Sequence, residues 1–363
     1  MNFLNYINTF RALAIFCIVG VHTQHVFSWG DSAAQGTLLH ILLGNSTIFF
    51  IFISGYLFQH LSSKFNIKRY YFSKAKYVLL PYLIISLPAV LYFVFISPKE
   101  FLQPSFFLQS IWMQIFYYYW WGLHLSPMWF VPVILLYYLL APLLVIGDRT
   151  KVLYWLLPIF ILVSLIVPRG LTPNNFLHFF SVYVIGMFFS KYRASLNVKL
   201  VKSYIIFILF TIFISLFLAE YLDIANNIKG INYLQKIVLT FLILGLLIKF
   251  ESKTSSTFIT VVANTSFGVF FVHAYIIGVF KQLSNYINQQ FLTYEFSHMS
   301  GTLVTHFLTS AAVLFLSILV VLLIKRMLGS NTYLLIGNIP SAQPQHKSQD
   351  IRMIKKYYEN SRN

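Results

Sequence analysis

The sequence predicts an all-α, polytopic integral membrane protein with about ten transmembrane helices and both termini on the cytoplasmic side. Three observations predict it. The 363 residues are 58% hydrophobic and only 10% charged, whereas a soluble domain carries about 25% charged residues. Apolar stretches close to the roughly 20 residues of a spanning helix recur along the chain. The basic residues collect on alternate connections between those stretches. An ordinary soluble enzyme is therefore excluded. So is a disordered chain, because 38 Phe and 24 Tyr supply ample apolar surface to bury. A net charge of +17 would suggest nucleic acid as the partner of a soluble protein. Here it concerns membrane sidedness, and membrane lipids rather than nucleic acid are the expected surroundings.

The expected spans, in order, are 9–29, 37–60, 77–96, 128–146, 152–167, 175–190, 203–219, 237–250, 257–280 and 302–324. Spans 152–167 and 175–190 are short, hence shallow or tilted. The stretch 106–121 (FFLQSIWMQIFYYYWW) is dense in Trp and Tyr, which favour the headgroup level, so it reads as interfacial. Alternating the sides places 21 of the 26 Lys and Arg, with four of the nine acids, on one face, and five bases with five acids on the other. The positive-inside rule makes the first face cytoplasmic. The first span carries Arg11, His22 and His25 and lacks a basic leader and a small-residue cleavage site, so it reads as retained rather than as a signal peptide. A transmembrane domain over 1–326 is expected, followed by a cytoplasmic tail, 327–363, loosely ordered from about Pro340. The single cysteine, Cys17, precludes an intrachain disulfide.

Polar residues within the spans are the informative ones, because each costs free energy to bury. Arg11 and His22 are eleven helical steps apart, which is about 20° beyond three turns and about 16 Å along the axis. They share a face, and His25 follows one turn further on. Taken singly, Arg11 reads as a snorkelling anchor and His22 as an interhelical hydrogen-bond partner. As an aligned stripe they favour a cavity or a helix interface. A metal is not expected, since no carboxylate or thiolate lies near His22 and His25 in sequence. None of the acids is expected deep in a span, so acid–base chemistry there falls to histidine. A Tyr, Ser, Asn or backbone carbonyl would have to orient it. In the loop 65–83, Lys68, Arg69, Lys74 and Lys76 cluster. They read either as topogenic charge against lipid headgroups or as a phosphate-binding patch.

These residues also occur in a recognisable order. The stretch YINTFRALAIFCIVGVH, 6–22, resembles the first helix of the membrane acyltransferase-3 family, with its Arg-x10-His spacing. FFIFISGYLF, 49–58, resembles the second helix and its Phe-x-x-Ser-Gly-Phe/Tyr core. The basic loop leading into Pro81-Tyr82 resembles the family's Arg-rich loop. MWFVPVILLYYLLAPLL, 128–144, is similar to its Trp-Phe helix. NTSFGVFFVHAYII, 264–277, is similar to its late S-x-G-x-Y-x-x-H segment and holds His273. The likeness runs through most of 5–325. Each motif alone is weak; five in order are specific. Asn8 stands where the family often has Asp, the basic loop carries mostly lysines in place of arginines, and His25 lies outside the signature.

The resemblance implies an O-acyltransferase of the surface-glycan type in the bacterial inner (cytoplasmic) membrane. Such a protein moves an acetyl or other short acyl group from cytoplasmic acetyl-CoA (or another acyl-CoA), its co-substrate, to a hydroxyl of a cell-surface or lipid-linked glycan, with no metal. His22 and Arg11 are the implied catalytic residues. Arg69, Lys68, Lys74 and Lys76 are the implied holders of CoA phosphates. His25, Ser54, Tyr56, Trp129 and His273 are candidates for orienting or lining the pore, and each reads equally as a packing residue. The pantetheine arm of CoA is about as long as the Arg11–His22 separation. The acceptor, the acyl chain, an acyl-histidine intermediate and a homo-oligomeric state stay open. A glycan transporter or flippase without acyl transfer is the competing reading.

Overall fold

The computed structural model describes residues 5–99, 102–222, 230–251, 256–291 and 299–337. The expected loose tail from Pro340 lies outside the described residues. The described chain is almost wholly helical. Its helices are α1 (Asn5–Thr23), α2 (Ala33–Leu43), α3 (Thr47–Leu61), α4 (Ile67–Lys74), α5 (Leu80–Phe95), α6 (Pro104–Phe107), α7 (Ile111–Trp121), α8 (Phe130–Leu139) and α9 (Ala141–Thr150). They continue as α10 (Val152–Trp155), α11 (Leu157–Ile166), α12 (Thr172–Lys191), α13 (Arg193–Leu200), α14 (Ser203–Tyr221), α15 (Ile231–Lys249), α16 (Thr257–Phe291), α17 (Leu303–Leu328) and α18 (Tyr333–Ile336).

Among the described residues seven helical segments are long and apolar enough to cross a membrane, or eight if the bent pair Ile111–Trp121 and Ser126–Leu139, which meet at 79°, forms one broken span. The periphery fits a lipid surround. On α14 only Phe213 is buried, while Phe207, Phe210 and Leu218 are exposed, an arrangement a water-soluble surface avoids.

The ten expected stretches divide differently in the structure. Residues 37–60 are not one helix. The chain breaks between α2 and α3 at Asn45, whose φ of 57° lies in the left-handed region that asparagine tolerates better than most residues. Residues 128–146 split into α8 and α9 ahead of Pro142, and 152–167 split into α10 and α11 ahead of Pro158. Each proline lies in the first turn of the second helix, where its missing N–H is harmless. The stretch 106–121, expected at the interface, supplies the first arm of the bent pair. The loop expected over 65–83 is helical from Ile67. Asn66 caps that helix by accepting from the Arg69 N–H at 3.0 Å. A π-turn over Ala75–Leu79 then precedes Pro81, as expected where proline removes one rung of the helical ladder.

α1 occupies the middle of the bundle, packed on α3, α15, α16 and α17. The tightest crossing is between α3 and α12. A Cβ on Gly55 would lie 2.0 Å from the Tyr183 carbonyl oxygen, and one on Gly186 would lie 2.2 Å from that of Phe52. Small residues at such a crossing let two backbones approach, which is how helices associate in lipid. α1 ends at Thr23, and after a single 3-10 turn Phe27–Ser28 pairs in parallel with Met299–Ser300.

Candidate active site

Two levels of side-chain contact join α1 to α16. At one, the Arg11 Nε donates to Ser266 Oγ at 3.2 Å. At the other, the rings of His22 and His273 lie with centroids 5.5 Å apart. The residue numbers rise together, so the two helices run parallel and present Arg11 and His22 along one seam. His273 is fully buried. Its Nδ1 donates to the Val269 carbonyl at 2.9 Å, which leaves Nε2 as an acceptor, and that atom has no partner among the described residues. α17 closes the seam in the opposite direction: His306 donates to the Gly20 carbonyl at 2.8 Å, and Lys325 donates to that of Asn264 at 3.4 Å.

His22 owes its second partner to the bend between α7 and α8. Gly122 ends α7 at φ 64°, and a Cβ there would lie 2.2 Å from the Trp129 nitrogen, so only glycine fits the turn. The returning 3-10 turn, Ser126–Trp129, brings Ser126 Oγ to 3.3 Å from His22 Nδ1. Trp129, at its end, stacks on Phe179 with centroids 5.5 Å apart and carries Arg169 on its ring at 5.0 Å. Ser126, Trp129 and Arg169 line one pocket of about 380 Å³, together with Trp121 and Asn175.

A polar chain runs behind this pocket. Arg169 Nη1 donates to Asn45 Oδ1 at 2.7 Å, Asn45 Nδ2 to Asn232 Oδ1 at 2.9 Å, and Asn232 Nδ2 to both Glu220 oxygens at 2.9 and 3.0 Å. Gln235 also donates to Glu220, at 3.3 Å, and its own carbonyl oxygen accepts from Lys236. Lys236 is fully buried and donates further to the Ile41 carbonyl at 2.6 Å. From the sequence no acid is expected deep in a span, and Lys236 is expected in a connection. Glu220 lies in the last turn of α14, whereas Lys236 falls within the membrane-length helix α15, which corrects its expected place. Their partners sit on facing helices and at the α2–α3 break, where no linear pattern reveals them.

The other expected residues fall in distinct places. His25 leaves the stripe because α1 stops at Thr23. It is exposed and lines a separate pocket of about 570 Å³ with Trp29 and His40. Ser54 faces the Tyr138 hydroxyl at 3.5 Å. Tyr56 is fully buried, bonded to the Tyr6 hydroxyl at 2.8 Å and stacked on His60, which is in turn held by Arg193. Of the four basic residues, Lys68 and Arg69 are exposed. Lys74 sits over the Tyr138 ring at 4.3 Å and Lys76 over that of Tyr333 at 4.3 Å. The structure thus brings His22, His273 and Trp129 to one end of the seam and leaves Ser54, Tyr56 and the basic cluster elsewhere.

A family model described as an acyltransferase domain matches residues 4–326, nearly the whole chain. The chain belongs to the membrane acyltransferase-3 family. No curated protein and no solved structure matches it. The part of this membrane acyltransferase-3 chain that the family model covers contains both seam levels, the bent pair and the polar chain, and it ends within α17. Three residues of that arrangement, Ser126, Arg169 and Asn45, carry no signal in the sequence, whereas Ser266 opens the late S-x-G segment. Ser126-Pro127 and Arg169-Gly170 are ordinary turn pairs, and only the folded chain shows them beside His22.

Proposed function

We propose that this membrane acyltransferase transfers an acetyl or other short acyl group from cytoplasmic acyl-CoA to a hydroxyl of a cell-surface or lipid-linked glycan, working in the bacterial cytoplasmic membrane. The observation that carries the reading is the α1–α16 seam, with Arg11 at one level and His22 beside His273 at the other, about 16 Å along the helix. That separation suits a pantetheine arm whose phosphates stay at the Arg11 end and whose thioester reaches His22. Lys74 and Lys76, held against tyrosine faces, are the better-positioned phosphate partners of the basic cluster; Lys68 and Arg69 add charge.

The hydrogen bonds set the chemistry. With Ser126 Oγ accepting from His22 Nδ1–H, the Nε2 lone pair is free to act as a base. It takes the proton of the acceptor hydroxyl as that oxygen bonds to the thioester carbonyl carbon. The C–S bond then breaks, CoA leaves as a thiolate, and the imidazolium returns the proton to it. An O-acyl ester and free CoA result.

Mass spectrometry of surface glycans from cells lacking the gene tests the reading. The expected result is loss of an ester of defined mass, restored by the wild-type gene and not by His22→Ala. Loss of the whole glycan would favour a flippase instead, and unchanged esterification would contradict acyl transfer to glycans.

A further inference from the structure

We infer that the pocket beside His22 is an anion-binding subsite, and that the acceptor presents a carboxylate or phosphate group to Arg169. This rests on the acyltransfer reading and narrows the class of acceptor. Arg169 is held at one edge and on one face. Its hydrogen bond to Asn45 Oδ1 uses Nη1. One face of the guanidinium lies over the Trp129 ring at 5.0 Å, with the Phe179 ring centroid at 5.6 Å. Among the described residues the one ion pair is Lys191 with Asp148, so no carboxylate there neutralises Arg169 directly. A guanidinium has five N–H donors in a planar fork. With one edge anchored and one face covered, the remaining donors are left to the pocket that Arg169 lines.

The polar chain behind it fixes this orientation. Glu220 accepts only, so Asn232 must turn its NH₂ toward the carboxylate and its oxygen toward Asn45. Asn45 must then turn its own oxygen toward Arg169. The two amides cannot flip without setting donor against donor. The loop that carries Arg169 is pinned as well. Asn175 accepts from the Gly170 N–H at 3.1 Å and donates to the Gly170 carbonyl at 2.6 Å, and Thr172 donates to the Trp120 carbonyl at 2.6 Å. A cation held in place without a direct counter-charge is organised to receive an anion bidentately. Ser126 lines the same pocket and touches His22, so an anionic sugar bound there would set a neighbouring hydroxyl at the base.

The test uses the full chain, purified and reconstituted, with calorimetric titration of glucuronate (the carboxylate arm), glucose 1-phosphate (the phosphate arm) and glucose as the neutral reference. Acetyl-CoA is titrated in parallel. Wild type should bind at least one charged sugar about tenfold more tightly than glucose; which arm does so identifies the source of the anion. Arg169→Gln should abolish that preference and Arg169→Lys should keep part of it, with acetyl-CoA binding unchanged in both. Equal binding of charged and neutral sugars by wild type, or a preference that survives in Arg169→Gln, overturns the subsite. Absence of acetyl-CoA binding in wild type, with the Arg169-dependent preference intact, would instead overturn the acyltransfer reading and leave the anion site standing.

Discussion

The imidazoles of His22 and His273 lie 5.5 Å apart on parallel helices, inclined by 43°, and the Val269 carbonyl fixes which nitrogen of His273 bears the proton. An imidazolium formed on His22 would find an acceptor in His273 Nε2, which has no other partner among the described residues. Replacing His273 with Phe should therefore lower kcat by about tenfold or more, the value of one hydrogen bond to a charged group. His273→Gln, which keeps an acceptor, should retain more activity than His273→Phe. Steady-state kinetics on reconstituted protein reads both, and equal rates in the two variants would mean that His273 only fills space.

Ser126 orients His22 through Nδ1. Ser126→Ala should lower kcat by about tenfold while leaving KM for acyl-CoA unchanged, because its role is to set the tautomer and not to bind CoA. A raised KM with normal kcat would show that Ser126 serves binding instead.

Arg11 sits at the other level of the seam, and Lys325 bonds nearby to Asn264. Arg11→Ala should raise KM for acyl-CoA and Arg11→Lys should raise it less, since lysine keeps the charge and loses the fork. A fall in kcat alone, with KM intact, would move Arg11 from phosphate binding to the chemical step.

The Gly55–Gly186 crossing predicts stability, not chemistry. Gly55→Ala would drive a methyl group to 2.0 Å from the Tyr183 carbonyl oxygen, so α3 and α12 must separate. The expected cost is about 1–3 kcal/mol or more, read as a lowered thermal unfolding temperature in detergent. An unchanged temperature would show that the crossing yields freely.

Half-buried Glu220 and fully buried Lys236 are joined through Gln235. Glu220→Gln should destabilise the fold by about 1–3 kcal/mol, because it weakens the hydrogen bonds from Asn232 and Gln235 and removes the negative charge nearest the buried Lys236. Adding Lys236→Met should recover much of that loss. A double variant no more stable than Glu220→Gln would show that the two charges act independently.

Period and composition were legible in the sequence because both belong to single helices. The membrane-length helices α14, α15, α16 and α17, and an eleven-step spacing that aligns Arg11 with His22, come through folding largely as the sequence reads them. The alignment failed at His25, because α1 stops at Thr23 and a 3-10 turn takes over. It also failed at the α2–α3 break, where Asn45 takes a left-handed turn inside an apolar run that reads as continuous. Ser126, Arg169 and Glu220 were illegible for a different reason. Each acquires its role from a partner more than ten residues away, on an element that only the fold brings alongside.

The most direct test of the central claim supplies inside-out membrane vesicles, carrying their native glycans, with radiolabelled acetyl-CoA. Acyl transfer through His22 predicts label in alkali-labile esters on the glycan with wild-type protein, and a loss of about a hundredfold or more in His22→Ala, the range general acid–base catalysis supplies. Undiminished labelling by His22→Ala would contradict the role of His22, and no labelling or consumption of any acyl-CoA by wild-type vesicles would contradict acyl transfer from the cytoplasmic side.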